Sequence, residues 1–577
     1  MSEAAANLAP AGQVSRPPGI VDRELCLGIA IIAIAILIPS LAGSIYWTYT
    51  VLLLGLYVTV AVLQNMLLGD AGQVSFGQGA VFGVAAYTCG IMAGMHGYGF
   101  ATSLLFGIPA GILVGSLFAL PALRVQGYYL GFVTLSAAVV FPELLVAFND
   151  YTNGINGIRV NVPALNRPFF AGITPLCVIV FLLAAGALVL HAWLRRQRLG
   201  QRMVIAAASP EAAMTLGFSP GHVRSAAFVI AAVGTAMAGA LYVPLVGFVS
   251  PSAFHVELSI FFFFSVIVGG QGRLIGPIAG VAVLYLLPNA LLVDLVQYRL
   301  LGYGAVALLI MLLFPDGIVG TIAKRLGAGR PGAEFGELAL AMPNSALATA
   351  ARPGLAVDIA DARKTYGKLA ALDGVNLQVR AGSIHGLVGP NGSGKTTLLN
   401  AISGFIALDS GRIAALGRDT TSQAAWRTAR LGIGRTFQTP RVFDALSIRE
   451  NIEVAAAGPL QLPEAWTAAK PDQLPHAQRR LLEVLRVVAS NAELLLLDEP
   501  AAGLSPAERR DFAQLLRTLR DRLGKTIVFV EHDLALVWRV ADQITVLDAG
   551  RVIADGKPAD IVAEKHVRAL FTGAADA

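Results

Sequence analysis

The chain has 577 residues, of which 55% are hydrophobic and 14% are charged, and its formal net charge is +6. Soluble domains carry about 25% charged residues, so this composition excludes an ordinary soluble protein and indicates a large part embedded in a membrane. The net charge is modest and no basic run stands out, so nothing in the sequence points to a nucleic-acid partner.

Composition divides the chain into four segments. Residues 1–24 are expected to form a cytoplasmic N-terminal arm, which lacks the apolar core of a cleavable signal peptide. Residues 25–325 contain recurring apolar runs and predict a transmembrane domain. Residues 326–354 are rich in Gly, Ala and Pro and predict a flexible linker. Residues 355–577 have the composition of a soluble domain.

The apolar runs predict a polytopic α-helical membrane domain of about ten spans, because crossing a bilayer takes roughly 20 apolar residues. The eighth run is short, which is compatible with a re-entrant or broken helix. The predicted spans are 25–44, 48–68, 74–96, 101–120, 128–148, 172–192, 223–248, 258–270, 276–294 and 299–314.

Basic residues set the expected orientation of these spans. Arg195, Arg196, Arg198 and Arg202 cluster after the sixth span, and loops rich in Arg and Lys remain in the cytoplasm. Counting spans outward from this loop places both termini on the same side. We therefore expect a multi-pass protein of the inner (plasma) membrane, in contact with lipid, whose N-terminus and C-terminal domain lie in the cytoplasm.

A few polar residues interrupt the spans. Glu143 lies within an apolar run, and charge inside a membrane is costly and often functional. Gln73 and Gln78 belong to a polar, Gly-rich stretch, Gly69–Gly79, that could expose polar groups to a solute path. The alternatives are a structural contact between helices or a position near the membrane boundary for Glu143, and a tight loop for the Gly-rich stretch.

The soluble domain opens with a phosphate-binding motif. Residues 389–397 read GPNGSGKTT, between an apolar strand predicted at 384–388 and a helix predicted from Lys395. In this context the loop amides and the helix N-terminus bind phosphate oxygens, Lys395 reaches the β- and γ-phosphates, and Thr396 ligates Mg²⁺. The predicted ATP-binding residues of this loop are Gly389, Pro390, Asn391, Gly392, Ser393, Gly394, Lys395, Thr396 and Thr397.

Two more predicted strands end in residues suited to ATP hydrolysis. The apolar run 494–497 is followed by Asp498, which suits an outer contact to Mg²⁺, and by Glu499, which suits a general base. His532 follows a third strand, predicted at 527–530, and could contact the γ-phosphate. Acidic residues and a lone histidine at strand ends are common. These positions indicate a catalytic site only in combination with the phosphate-binding loop.

With these motifs, residues 355–575 resemble the ATP-binding subunit of an ABC transporter. The resemblance implies an α/β P-loop ATPase fold with ATP and Mg²⁺ as ligands. Gln438, in Thr436-Phe437-Gln438, matches the Q-loop, which contacts the metal and the catalytic centre. Tyr366 matches the aromatic residue that stacks on adenine, residues 502–505 match the D-loop, and His532 matches the switch histidine.

The membrane half resembles the permeases of branched-chain amino acid importers, and parts of the soluble domain resemble their ATP-binding subunit. The resemblance implies a permease fused to its ATPase. It also implies a second permease subunit, a second ATP-binding subunit and an extracytoplasmic solute-binding protein as partners. The stretches that carry it are 69–88, 211–219, 269–280 and 314–320 in the membrane half, and 498–506 and 547–561 in the soluble domain.

The long loop 195–222 contains a candidate contact between the two halves. Glu211, Ala212 and Ala213 followed by Gly217 predict a short amphipathic helix and a turn. An ordinary surface helix would have the same pattern. The ATP-binding domain downstream favours a coupling helix that the ATPase grips.

Two departures from the family pattern occur, one in the signature motif and one in the region before it. The motif resembles LPYGxQRR in this group. A histidine, His476, replaces an aromatic residue and an alanine, Ala477, replaces a glycine whose lack of a Cβ permits close approach to phosphate. The region 439–473 before the motif is also shorter than the resemblance implies. The signature residues are Leu474, Pro475, His476, Ala477 and Gln478.

In ABC dimers the signature of one subunit completes the ATP site of the other. Intact phosphate-binding residues beside an altered signature therefore suggest two unequal ATP sites. The expected function is ATP-driven import of a small polar solute, with branched-chain amino acids as the first choice. Urea, short amides and small carboxylates are alternative solutes for the same machinery. An ABC exporter half-transporter and a coupling-defective fusion that only binds ATP are alternative functions.

Overall fold

The computed structural model describes residues 20–42, 44–125, 127–168, 173–291, 299–327, 354–456, 469–564 and 567. They form two compact units. The described residues of the first, the helical unit, fall within Ser15–Ala208 and Pro220–Arg330. Those of the second, the α/β unit, fall within Ser209–Ser219 and Pro331–Ala577. The predicted coupling segment therefore groups with the soluble domain rather than with the spans on either side of it in sequence.

The helical unit is built from long apolar helices. Nine helices among its described residues are long and apolar enough to cross a membrane, and a shorter apolar helix occupies Gly276–Leu286. The α-helices are Ile20–Ala35, Ile38–Ala42, Ile45–Asn65, Gln78–Gly90, Phe100–Ala122, Tyr128–Ala147, Asn149–Thr152, Pro163–Asn166, Pro175–Arg196, Arg198–Ala208, Pro220–Val246, Val256–Gly269, Gly276–Leu291, Arg299–Leu313 and Gly317–Gly327. One short antiparallel pair of strands joins Ile158–Arg159 to Phe248–Val249.

The observed helices refine the predicted spans. The predicted eighth span is a continuous helix, Val256–Gly269, preceded by a 3-10 turn, so the expectation of a broken helix is wrong. The first helix begins at Ile20, inside the predicted N-terminal arm, and its Glu24 pairs with Arg273 at 3.1 Å. The predicted ninth span begins as the helix Gly276–Leu291, and residues 292–298 lie outside the described part.

The α/β unit contains two sheets. The larger has six strands in the order Arg551–Gly556, Gln543–Asp548, Ile384–Val388, Thr526–Val530, Leu494–Asp498 and Ile433–Arg435, and all neighbours except the first pair are parallel. The smaller is antiparallel, in the order Leu369–Arg380, Leu355–Tyr366, Ser410–Ala415 and Arg418–Asp419. The α-helices of this unit are Pro210–Thr215, Lys395–Ile402, Ala425–Arg430, Ile448–Glu453, His476–Ala489, Pro506–Leu523, Leu534–Val540 and Pro558–Ala563.

Burial on both faces explains why the central strands are continuously apolar. Leu495 and Phe529 pack into a core cluster on one side of the large sheet, whereas Leu494 and Val528 pack into the cluster on the other side. Parallel strands covered on both faces read as unbroken apolar runs. Because these strands are parallel, the segments that follow Val388, Asp498 and Val530 all leave the same edge of the sheet.

Residues 328–353, which include most of the predicted linker 326–354, lie outside the described part. The helix Gly317–Gly327 ends just inside the predicted linker, and the first strand of the α/β unit begins at Leu355.

Candidate functional site

The phosphate-binding loop leaves the fully buried strand Ile384–Val388 and enters the helix Lys395–Ile402, as the sequence predicts. Gly389, Gly392 and Gly394 have φ angles of 151°, 81° and 103°, which L-residues rarely adopt. A Cβ at Gly394 would also meet the carbonyl oxygen of Ala371. Glycine is therefore required at these turns, and the loop wraps around the N-terminus of the helix, where orphan amides attract anions.

Within this loop Lys395 lies folded over its own backbone. Its Nζ donates to the carbonyl oxygens of Gly389 at 2.8 Å and Pro390 at 2.7 Å, and the residue is buried. Burial lowers the pKa of Lys395, while the nearby carboxylates of Glu499 and Asp498 act in the opposite direction. The ammonium group is thus held inside the loop, where phosphate oxygens can replace the two carbonyls as its acceptors. Around it, Asn391, Gly392 and Thr396 are exposed, Gly394 and Thr397 are half-buried, and Ser393 is buried.

Three residues predicted to be catalytic converge on one carboxylate. Oε1 of Glu499 lies 3.1 Å from Nε2 of Gln438, which donates to it, and 3.0 Å from Nε2 of His532. Strand register explains the meeting of two of them, because Asp498 pairs with Val530 and the segments that follow both strands emerge side by side. His532 is about half exposed, so the Glu499 carboxylate is open to a ligand on that side.

Asp498 is buried beside Glu499 and is only half satisfied. Its Oδ2 lies 3.5 Å from Nη2 of Arg435, whereas its Oδ1 accepts no hydrogen bond from any residue that the structure describes. Burial raises the pKa of the Asp498 carboxyl, and the Arg435 guanidinium opposes that rise. A buried carboxylate oxygen without a donor is suited to a cation or its water shell. Thr396, the other predicted ligand of Mg²⁺, is exposed.

Sequence reasoning missed Arg435. It ends the strand Ile433–Arg435, donates to Oγ of Ser403 at 2.6 Å, and lies beside the rings of Phe405 and Phe437, each 5.5 Å from its Cζ. Burial lowers the pKa of Arg435 to about 10. The local signal was its position three residues before Gln438, but only the fold shows that it faces Asp498.

Tyr366 is half exposed at the end of the strand Leu355–Tyr366. Its ring centre lies 5.8 Å from Nζ of Lys364, which is itself paired with Asp409 at 2.7 Å. An exposed aromatic face is available for stacking, and its contact with adenine remains a prediction.

The predicted signature residues lie at the start of the helix His476–Ala489. Leu474 is buried, Pro475 and His476 are exposed, and Ala477 and Gln478 are half-buried in the first turn. Oε1 of Gln478 accepts no hydrogen bond within the described part of the chain.

The region before the signature, 439–473, packs against the signature helix. Ile448, Ile452 and Leu474 pack in one hydrophobic cluster with the signature helix. The helix Ile448–Glu453 begins with a capping box formed by Ser447 and Glu450. Residues 457–468 lie outside the described part.

The predicted coupling segment packs within the α/β unit. Its helix Pro210–Thr215 begins at Ser209, whose side chain accepts from the amide of Ala212, and Ala212 and Ala213 are buried. Glu211 is half-buried in the first turn. The following turn needs Gly217, with φ at 79°.

One hydrogen bond fixes that turn to its neighbour. Nε of Arg430 donates to the carbonyl oxygen of Gly217 at 2.6 Å, and the Arg430 guanidinium lies 4.9 Å from the ring centre of Trp426. Both residues belong to the helix Ala425–Arg430, which leads into the strand that ends at Arg435. The segment is therefore held by the chain that runs directly to the Q-loop.

The polar residues predicted for a solute path differ in their surroundings. Gln78 is buried and its Oε1 accepts from Oγ1 of Thr235 at 2.7 Å. Gln73 is also buried and donates to the carbonyl oxygen of Ala71 at 2.9 Å, while its Oε1 has no partner among the described residues. Glu143 instead lies exposed on the helix Tyr128–Ala147. The sequence drew attention to Glu143 because it is a charged residue within an apolar run, and that pattern does not show whether the side chain is buried.

A buried ionic cluster in the helical unit was also missed. Oδ2 of Asp70 lies 2.6 Å from Nε2 of His191 and 2.9 Å from Nε of Arg195, while Oδ1 accepts from Nη2 of Arg195. The same Arg195 donates to the carbonyl oxygen of Gly272 at 2.6 Å. His191 and Arg195 are four residues apart and share one helix face, which is the only local signal of the cluster.

Comparison with known proteins gives the same division of the chain. Residues 46–315 match the family model of the permease component of branched-chain amino acid transport systems, and residues 372–502 match that of ABC transporters. The probable branched-chain amino acid transport ATP-binding protein LivG of Archaeoglobus fulgidus is 34% identical over 242 residues, which cover 37% of this chain and 93% of that protein.

The chain belongs to the ABC transporters of the branched-chain amino acid type.

Two further relatives of this ABC transporter match its ATP-binding part. The high-affinity branched-chain amino acid transport ATP-binding protein LivG of Salmonella typhimurium is 34% identical over 36% of this chain and 94% of its own length. The Nod factor export ATP-binding protein I of Rhizobium meliloti is 36% identical over 37% of this chain and 68% of its own length. This ABC transporter is thus a multi-pass membrane protein in which one chain joins a permease domain to an ATPase domain that binds ATP.

Proposed function

We propose that this chain is the fused permease and ATPase component of a multi-subunit importer that uses ATP to carry branched-chain amino acids into the cell. The observation that supports this most is the meeting of Gln438 and His532 on Oε1 of Glu499, in a chain whose other half matches a permease of this class. The solute is inferred from the descriptions of the permease family and of the similar ATP-binding proteins.

The geometry supports a division of labour in hydrolysis. The loop amides from Gly389 to Thr397 and the ammonium of Lys395 bind the phosphates, and Tyr366 stacks on adenine. Glu499 orients the attacking water and accepts its proton, while His532 and Gln438 hold the Glu499 carboxylate and contact the γ-phosphate. Mg²⁺, when bound by Thr396, Asp498 and Gln438, would neutralise the charge that develops on the phosphates.

The site is proposed to be shared between subunits. The signature of a second ATP-binding subunit would complete the site that contains Lys395 and Glu499. In exchange, residues Leu474–Gln478 of this chain would face the partner's nucleotide. Ala477 places a Cβ where the family has glycine, so the partner's site is proposed to be the weaker of the two.

Motion is proposed to reach the membrane through Ser209–Ser219. This segment is held by Arg430, on the helix that leads to Arg435 and then Gln438. A rearrangement around Glu499 would therefore move the turn at Gly217, because rigid elements transmit displacement between sites. We also propose that the α/β unit lies in the cytoplasm of a cell bounded by the inner (plasma) membrane.

The remaining partners are a second permease subunit and an extracytoplasmic solute-binding protein. The buried residues Gln73 and Gln78 are proposed to contribute to a polar path through the spans. Exposed Glu143 is proposed to contribute only if the second permease subunit covers its helix.

Uptake in proteoliposomes tests this proposal. The chain is reconstituted with the other permease, the other ATPase and the solute-binding protein, with ATP and Mg²⁺ on the side of the α/β unit. We expect ATP-dependent uptake of radiolabelled leucine, competed by isoleucine and valine and absent with Lys395→Ala. Uptake of urea, acetamide or a small carboxylate instead would replace the solute, and movement of solute in the opposite direction would make the chain an exporter.

The coupling segment has its own test in the same assay. Arg430→Ala removes the hydrogen bond to Gly217 and is expected to lower leucine uptake per ATP hydrolysed severalfold. Arg418→Ala, an exposed strand residue, is the control. Equal reductions of uptake and hydrolysis in Arg430→Ala would show that this contact does not couple the two.

A further inference from the structure

Glu499 has a backbone conformation that must be held in place. Its φ is 46°, in the left-handed region that residues with a Cβ rarely occupy. Such residues persist where surrounding contacts over-determine them, and they cluster at functional sites. The contacts of the Glu499 backbone therefore decide where its carboxylate points.

Three hydrogen bonds fix this backbone. The Glu499 amide donates to the carbonyl oxygen of Val530 at 2.9 Å, which ties it to the neighbouring strand. The Glu499 carbonyl oxygen accepts from the amide of Ala502 at 3.2 Å and from Nη1 of Arg480. Only the last of these contacts comes from a side chain, and it belongs to a different element of the fold.

The same guanidinium also holds the Q-loop. Nη2 of Arg480 donates to the carbonyl oxygen of Gln438 at 2.6 Å, and Arg480 is 4% exposed. One planar group therefore bridges the backbones of the two residues whose side chains meet at Oε1 of Glu499. An arginine fork can present two parallel donors to two oxygens, whereas a lysine ammonium cannot reproduce that geometry.

Arg480 lies on the signature helix His476–Ala489, one turn from Ala477. The start of this helix also adjoins the segment that follows Glu499, since Nδ1 of His476 lies 3.8 Å from the position that a Cβ on Gly503 would take. Displacement of the signature turn would thus reach the Glu499 backbone over a short distance, through the buried guanidinium of Arg480.

We propose that Arg480 is a positioning residue that orients the Glu499 carboxylate and links it to the signature helix of the same chain. The proposal rests on the role of Glu499 as general base proposed above. Through this link, contact between the signature and the nucleotide of the partner subunit sets the geometry of the general base in this chain's own site. The link gives the two ATP sites a route of communication that runs inside a single subunit.

The test uses the full chain with its partner subunits in lipid nanodiscs. ATP turnover is measured over a range of ATP concentrations for Arg480→Lys and Arg480→Gln, together with binding of a fluorescent ATP analogue. Both variants are expected to lower kcat at least about tenfold, since small misplacements of a catalytic group are costly, with KM and nucleotide binding within about twofold of wild type. The control is Arg412→Gln, an exposed arginine of the same unit paired with Asp419, which should keep the wild-type kcat.

A double variant separates positioning from a general structural role. Because Arg480 acts through the Glu499 carboxylate, Arg480→Gln should cause no further loss of single-turnover hydrolysis in a Glu499→Gln background. Wild-type kcat in both Arg480 variants overturns the proposal. So does loss of nucleotide binding in both, or a further loss in the double variant, because each indicates a role in folding.

The same measurements distinguish this inference from the proposed function beneath it. If Glu499→Gln alone hydrolyses ATP at the wild-type rate, the assignment of the general base is wrong. If Glu499→Gln is inactive while both Arg480 variants are fully active, the general base stands and only the inference about Arg480 is wrong.

Discussion

Each unit of this transporter buries an aspartate beside an arginine, but the two carboxylates are satisfied differently. In the helical unit both oxygens of Asp70 are occupied, by His191 and twice by Arg195. In the α/β unit Oδ2 of Asp498 lies 3.5 Å from Arg435, and its Oδ1 has no donor among the described residues.

The difference separates a structural ion cluster from a ligand site. A buried carboxylate that has donors on both oxygens has little capacity for a further ligand and instead fastens the elements that supply its donors. Asp70 fastens the end of one helix to the end of another and, through Arg195, to the turn at Gly272. Oδ1 of Asp498, which has no donor among the described residues, lies at the edge of the sheet from which the phosphate-binding loop also starts.

The largest effect is expected when the filled carboxylate is changed. Asp70→Asn leaves one acceptor oxygen and turns an amide donor toward His191 or Arg195, so a buried cation loses its partner. Breaking a buried pair in this way costs about 3–5 kcal/mol of folding stability. Hydrogen exchange of the amides in Ile45–Asn65 and Pro175–Arg196 measures it, because the first helix leads directly into Asp70 and the second carries His191 and Arg195.

The control for this substitution is Asp150→Asn, at an exposed position of the same unit. Unchanged protection in Asp70→Asn would mean that the cluster contributes nothing to the packing of its helices. The contrast with Asp498 would then disappear.

Substitution of Asp498 is expected to lower ATP turnover rather than folding stability. Asp498→Asn keeps an oxygen for Arg435, whose contact of 3.5 Å is longer than those at Asp70, and removes the charge available to Mg²⁺, so folding should change less than in Asp70→Asn. Turnover of ATP should fall about 10–100-fold, the usual cost of an outer-shell contact to a metal. A titration of activity against Mg²⁺ concentration should show a raised half-saturation point, and an unchanged point would contradict the assignment of Asp498 to the metal.

Two buried histidines among the residues that the structure describes extend the comparison with a smaller effect. His191 lies against a carboxylate, whereas Nε2 of His385 lies 2.8 Å from the Thr545 hydroxyl, and burial lowers the pKa of His385 to about 4 despite the charge of Asp555. Its pKa in the unfolded chain is about 6.5, so the unfolded state binds the extra proton first. The contribution of His385 to the free energy of unfolding is therefore fully present above about pH 6.5 and is lost as the pH falls toward 4.

The expected loss between pH 7.5 and 5 is about 2 kcal/mol, from the linkage between proton binding and unfolding. Denaturant unfolding of the α/β unit at these two pH values measures it. His385→Gln can still bond to Thr545 but cannot titrate, so it should lose about 2 kcal/mol less over this range. If the free energy of unfolding depended on pH identically in the variant and the wild type, His385 would not be the cause of this loss.

Local motifs carried most of what could be predicted. The spacing of Gly389, Lys395 and Thr396 fixes a strand, a loop and a helix within a few residues of one another. The strand before Asp498 was readable because burial on both faces makes a parallel strand continuously apolar. The roles of Gln438 and the switch histidine His532 followed from the family resemblance, but their meeting at Oε1 of Glu499 was seen only in the fold.

Long-range pairing is what the sequence could not supply. Asp70 and His191 are 121 residues apart, and Arg435 and Asp498 are 63 apart. The residues adjacent in sequence to each of these four do not indicate which residue it pairs with. Glu143 drew attention because it interrupts an apolar run, whereas Asp70, at the end of a run, looked like part of a loop. Charge in a run is a local property, but burial of charge is a property of the fold.

The central claim is that this chain's own site, built around Lys395 and Glu499, carries most of the ATP hydrolysis of the complex. Its most direct test is turnover of the reconstituted complex with Glu499→Gln in this chain alone and the partner ATPase unchanged. A general base contributes roughly 10²–10⁴-fold, and the partner's nucleotide would face the altered signature at Ala477, so turnover should fall below about a tenth of wild type. Turnover of half the wild-type rate or more would show that the partner's site works as well, and would contradict the account.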